Sequence, residues 1–115
     1  MKRYGLPKSC LLRKTGEFNQ VYRHGQRLRG NGFALIYLPG ELPDSRLGIS
    51  VHRKVGNAVH RNRIKRIVRE AFRLHREIFP QSSDIVFTIR PDFSLDGMHS
   101  VRAAVSRLTG FQGQN

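Results

Sequence analysis

The stretch His52 to Pro80, HRKVGNAVHRNRIKRIVREAFRLHREIFP, constrains the fold more than any other part of the chain. Gly56 and Asn57 supply a turn and an N-cap, and neither Gly nor Pro follows until Pro80, so the spacing predicts one helix from about Ala58 to Ile78. At ~1.5 Å per residue such a rod is roughly 30 Å long. On a helical wheel centred on Ile64, the residues Ile67, Val68, Ala71, Phe72, Leu74, His75, Ile78 and Phe79 fall on one side. That stripe needs an apolar partner, which the rest of the chain must supply.

On the opposite arc stand Asn62, Lys65, Arg66, Arg69, Arg73 and Arg76, with Arg61 and Arg63 at its margins. Cations of one sign repel one another. Glu70 and Glu77 are the intrahelical carboxylates, and both project beside the row, so i,i+4 pairing is not expected to neutralise it. A polyanion resolves the repulsion, because each neutralised phosphate releases condensed counterions and favours binding without any reading of sequence. The planar, forked guanidinium suits phosphate oxygens two at a time. The whole chain shows the same bias: 21 Lys and Arg against 8 Asp and Glu leave a formal charge of +13. Nucleic acid is the first partner such an imbalance implies.

An anionic membrane surface is the competing polyanion, but the apolar stripe it would need is claimed by the strands described next. The N-terminus lacks an apolar run long enough for a signal peptide and no stretch approaches a membrane span, so a cytoplasmic location is expected. Cys10 is the single cysteine, which excludes an internal disulfide and a multi-cysteine zinc site.

The 115 residues suit one domain with one modest core, 1–115, in which the basic residues 1–14 form either an ordered or a mobile arm. A short helix is expected over Glu17–Arg23, ended by Gly25, with Phe18, Val21 and Tyr22 at i, i+3, i+4 spacing. That triplet either docks on a sheet or lets Phe18 and Tyr22 edge a groove where unpaired bases stack. Gln26–Asn31 reads as a short strand and Phe33–Leu38 as a firmer one. Arg46–His52 alternates Leu47, Ile49 and Val51 with Gly48 and Ser50. The Phe33–Leu38 and Arg46–His52 strands are expected to form an antiparallel hairpin across the Pro39–Asp44 turn. Asp84–Arg90 reads as a buried strand that, following the long helix, should lie parallel to an earlier one. A last helix, capped by Ser94 or Asp96, runs to about Leu108 before Gly110. The result is an α+β fold, a two-layer sandwich of about four strands with three helices.

No protein catalytic site is legible. The eight acidic residues are scattered, without the clustered carboxylates that bind catalytic metals. His52 and His60 border the loop into the basic helix, but no orienting carboxylate stands at a recognisable spacing.

The run from Lys54 to Glu70, KVGNAVHRNRIKRIVRE, closely resembles the signature of the bacterial ribonuclease P protein component, in which an RNR triplet precedes IKR and a further Arg. EFNQVYRHG, RLGISVHRKVGNA and DIVFTIRP resemble that family's first helix, the strand entering the signature and the last strand. The resemblance implies a protein subunit that binds a catalytic RNA and the 5′ leader of precursor tRNA. It places the chemistry in the RNA subunit with Mg2+, with no cofactor in the protein, no membrane and no obligate protein partner. It also implies a left-handed crossover around the long helix, against the general right-handed rule. Carried over by position, Lys54, Arg61, Asn62, Arg63, Lys65, Arg66, Arg69 and Arg73 are RNA-binding residues, and Phe18, Tyr22 and Ile36 line the leader cleft. Ile36 stands where some family members have an aromatic residue. Two rivals remain from the residues alone: a protein binding some other structured RNA, and a self-sufficient ribonuclease using His52 or His60.

Overall fold

The computed structural model describes residues 7–110, and within them the helices are α1, Thr15–His24, α2, Ala58–Leu74, and α3, Met98–Thr109. The strands are β1, Gln26–Arg29, β2, Phe33–Pro39, β3, Arg46–Val51, and β4, Ser83–Ile89. They form one sheet in the order β1-β2-β4-β3. The α+β class expected from the sequence is the one observed.

The pairing differs from expectation in one respect. β2 and β3 do not form a hairpin: β4 lies between them, antiparallel to β2 and parallel to β3. The reason is burial. β4 carries Ile85, Val86, Phe87 and Ile89, all with no exposure, and a strand apolar on both faces belongs at the centre of a sheet. The hairpin that does form joins β1 to β2 through Gly30–Gly32, with Arg29 opposite Ala34. Gly32 takes a positive φ of 79° there, and a Cβ on it would stand 2.5 Å from the Phe93 backbone, so only glycine fits. As expected, β4 is parallel to an earlier strand, and α2 is the crossover between them.

Alternation along the strands sorts the side chains onto two faces. Phe33, Leu35, Leu47, Ile85, Phe87 and Ile89 meet Ile64, Val68, Ala71 and Phe72 of α2 and Val101 and Val105 of α3. Phe33 and Phe87 stack with centroids 4.9 Å apart, and Phe72 meets Phe79 edge-on at 5.1 Å. Ile36 and Val86 point the other way and meet Val21 of α1 and Leu12. The sandwich therefore has a third, thinner layer that the two-layer reading omits, because α1 packs opposite α2 and α3.

The long helix is shorter than its pattern predicts. Asn57 caps it through Oδ1, which accepts from the His60 N–H at 2.9 Å. It ends at Leu74, where His75 leaves helical geometry with φ −135° and ψ 52°, and Arg76–Ile78 continue as a 3-10 turn. That break carries Ile78 and Phe79 into the core and leaves Leu74, expected on the buried stripe, 45% exposed. The third helix starts at Met98 with Gly97, and not a side chain, at its cap position; Gly110 closes it with φ 81°.

Residues 1–6 of the basic arm lie outside the described residues. From Lys8 the segment is fixed: a 3-10 turn buries Cys10, and Leu12 donates its N–H to the Leu47 carbonyl at 2.9 Å. It runs as a strap along the outer edge of β3.

Candidate nucleic-acid interface

The exposed arc of α2 faces the strap across a cleft of about 450 Å³, lined by Leu11, Asn62, Lys65, Arg66, Arg69, Glu70 and Arg73. Five of the eight expected RNA-binding residues thus border one space. Among the described residues no carboxylate pairs with Lys65, Arg66 or Arg69, so their charges are available to a ligand. Arg63 is exposed and stands outside this cleft. Arg61 is half-buried, and its Nε is enclosed without a hydrogen-bond partner. Lys54 is exposed in the 3-10 turn before α2, its N–H donated to His52 Nδ1 at 3.0 Å.

Two residues of the expected cationic arc behave differently. Arg73 is engaged by Glu70, one turn earlier, through two hydrogen bonds from its guanidinium. That pairing, which the expectation of an unneutralised row did not foresee, raises the Arg73 pKa above its ordinary value. Arg76 lies beyond the helix end, with its guanidinium carbon 5.2 Å from the centre of the Phe72 ring and Nη2 3.7 Å from Cys10 Sγ. It is a packed cation, and not part of the open row.

A second cleft, of about 210 Å³, continues from the first around the β3 edge. Its lining includes Leu12, Arg13, Phe18, Gly48 and Ile49, and it shares Lys65 and Arg69 with the α2 cleft. Gly48 makes this possible: a Cβ at that position would stand 2.5 Å from the Phe18 ring. The ring therefore lies on bare backbone, half-buried against Leu12, Val21, Ile36 and Val86, with its other part facing the cleft. Tyr22, one turn on, is 36% exposed, and its hydroxyl stands 3.4 Å from Thr88 Oγ1 on β4. Ile36 has no exposed surface and sits beneath α1. The contact with a base expected of it has nothing to rest on in this conformation; the small outward residues Gly48, Ser50 and Thr88 flank that face instead.

The position of α1, and with it Phe18 and Tyr22, is held by Arg46. Its guanidinium donates to both Asp84 oxygens at 2.8 Å and to Glu17 Oε2 at 3.2 Å. Glu17 also reaches back toward the Lys14 N–H, 3.4 Å away, at the start of α1. Hydrogen bonding to Asp84 is the main reason the Arg46 pKa is raised, against the lowering effect of burial. A raised cation keeps its contribution at every pH below the ordinary guanidinium range, so this clamp persists wherever the carboxylates are ionised. It also neutralises two of the eight carboxylates that would otherwise repel phosphate.

The class defined by these features is a small α+β sandwich with a strongly cationic helix face that opens into an aromatic-edged groove. The ribonuclease P family model matches residues 6–110, and the chain belongs to the ribonuclease P protein component family. It is 57% identical over 110 residues to the component from Desulfotalea psychrophila, across 96% of this chain and 92% of that one. A component from Caldanaerobacter subterraneus is 35% identical over 88% of this chain and 87% of its own length. Among solved structures, the Thermotoga maritima RNase P protein in complex with 1-(4-fluorophenyl)-2-thiourea matches with a TM-score of 0.76 at 35% identity, over 85% of this chain and 95% of that one. The Staphylococcus aureus protein matches with a TM-score of 0.75 at 28% identity, over 88% and 93%.

Proposed function

We propose that this chain acts in the ribonuclease P holoenzyme by binding the catalytic RNA subunit through the α2 face and the 5′ leader of precursor tRNA in the groove edged by Phe18 and Tyr22. Endonucleolytic removal of the leader then gives the mature 5′ end. The observation that carries this reading is the sharing of Lys65 and Arg69 between the α2 cleft and the Phe18 groove. Two stretches of sugar-phosphate backbone can thereby be held side by side, one on the helix and one in the groove. Family membership supplies the partners; the continuity of charge supplies the means.

The bond cleavage belongs to the RNA subunit with its Mg2+ ions. In the protein, Glu17 and Asp84 are engaged by Arg46 and Glu70 by Arg73, and no group of three or more His, Cys, Asp or Glu stands together among the described residues. That donor set fits positioning of RNA better than metal-assisted hydrolysis. No described helix is long and apolar enough to cross a membrane; a cytoplasmic place of work follows from the tRNA-processing role proposed here.

Addition of the chain to a bacterial catalytic RNA at low magnesium tests the reading. Precursor cleavage is expected to rise, and to rise more for substrates that carry a leader. No gain in cleavage would instead favour a protein of some other structured RNA. Cleavage by the RNA-free protein, lost on changing His52 or His60, would favour a self-sufficient ribonuclease.

A further inference from the structure

A third cleft, of about 360 Å³, lies at the far end of the sheet between the β1–β2 turn and α3. Leu95, Ala104 and Leu108 line it, all partly buried, together with Phe33 and Gly30. Gly30 lets the turn lie close over Phe33, since a Cβ there would stand 2.5 Å from that ring. At the rim are Arg29, Asn31 and Arg107, all exposed. Neither guanidinium has an ion pair or hydrogen bond with any described residue. Asp96, on the loop before α3, faces the Ser100 hydroxyl at 3.4 Å instead.

An apolar floor bordered by two arginines without ion pairs discriminates among guests. A purely apolar one would strip water from the cations without replacing it, and a bare inorganic anion would leave the floor wet. A nucleoside phosphate satisfies both, with its base on the floor, its phosphate drawn to the bordering arginines and the Asn31 amide available to the base edge. The volume falls within the ~300–1,000 Å³ usual for small-ligand clefts.

Arg29 links this cleft to the groove. It pairs in register with Ala34, Ala34 pairs with Thr88, and Thr88 is the residue beside the Tyr22 hydroxyl. The geometry points to a distal subsite here for one nucleotide of the single-stranded leader, reached over the β1 edge after the strand leaves Tyr22. This assignment rests on the leader-binding reading above.

The test uses holoenzyme and a series of precursors whose leaders lengthen one nucleotide at a time. Wild-type affinity is expected to rise with length and to include one step that the Arg29→Ala, Arg107→Ala double variant lacks, an effect of about tenfold. Short-leader substrates should bind both proteins equally. Ala104→Leu keeps both charges and fills the floor, so it should remove the same step, with the melting temperature checked for each variant. Equal loss at every leader length would reduce the arginines to general attraction and overturn the subsite, as would an intact step in Ala104→Leu. If wild type shows no leader dependence at all, the leader-binding reading itself fails; if it does and the double variant matches it, only the subsite fails. Nucleoside monophosphates titrated into the protein, followed by NMR, form the last arm. Saturable binding at Arg29 and Arg107 tighter than the leader step accounts for would transfer the cleft to free nucleotide and overturn the leader assignment.

Discussion

The two faces of the sheet carry opposite burdens. On one, Phe33, Phe72, Phe79 and Phe87 join ten further buried residues in a dry layer closed by α2 and α3. On the other, the buried cluster among the described residues is the four side chains Leu12, Val21, Ile36 and Val86, under a single ten-residue helix. A sheet anchored so heavily on one side does not need its second side for stability. That side can therefore keep small residues, a half-exposed phenylalanine and an open groove. Stability and recognition are divided between faces because alternation along each strand sends neighbouring residues to opposite sides.

The sharpest way to break this comparison is to cut the thick face. Phe72→Ala should cost about 3–5 kcal/mol of stability, read from thermal or denaturant unfolding, while leader affinity below the transition stays unchanged. A smaller loss there than at Phe18 would invert the comparison. On the thin face, Phe18→Ala should cost about 1–3 kcal/mol in affinity for leader-bearing precursor. An equal loss for leaderless RNA would return the ring to a core role. Gly48→Ala should act in the same direction and less strongly, because the added methyl meets the Phe18 ring and pushes it off its seat. Unaltered leader affinity in that variant would show that the ring's position does not matter.

The smallest effects separate the cations. Arg66→Ala or Arg69→Ala should leave unfolding unchanged and lower the slope of log affinity against log salt by about one each. Arg73→Ala should lower it less, since Glu70 already holds that guanidinium. Three equal slopes would mean that the Glu70 contact is given up when RNA binds.

Much of this was legible in the sequence. The cap at Asn57, the cationic arc and the buried residues Ile64, Val68, Ala71 and Phe72 follow from helical spacing alone. The alternation of Leu47, Ile49 and Val51 with Gly48 and Ser50 marked the strand, while the seating of Phe18 on Gly48 appeared only in the structure. Other features were illegible for definite reasons. Whether β2 pairs with β3 or β4 depends on strands far apart in sequence, whose burial on both faces is decided by the assembled sheet. Leu74 and Arg76 follow the helical pattern, but the chain turns at His75 to bring Ile78 and Phe79 inward. Arg46, Glu17 and Asp84 lie on three elements, and no local spacing announces that they meet.

Local periodicity thus determined which elements form, which sides of them are apolar and where the positive charge concentrates, since those properties depend on residues within one or two turns of each other. The tertiary structure alone decided which strands became neighbours, which arginines stayed free and that Lys65 and Arg69 border two clefts at once. Each of these depends on surfaces from distant segments competing for the same space, and that competition is resolved only when the sheet and its helices are packed.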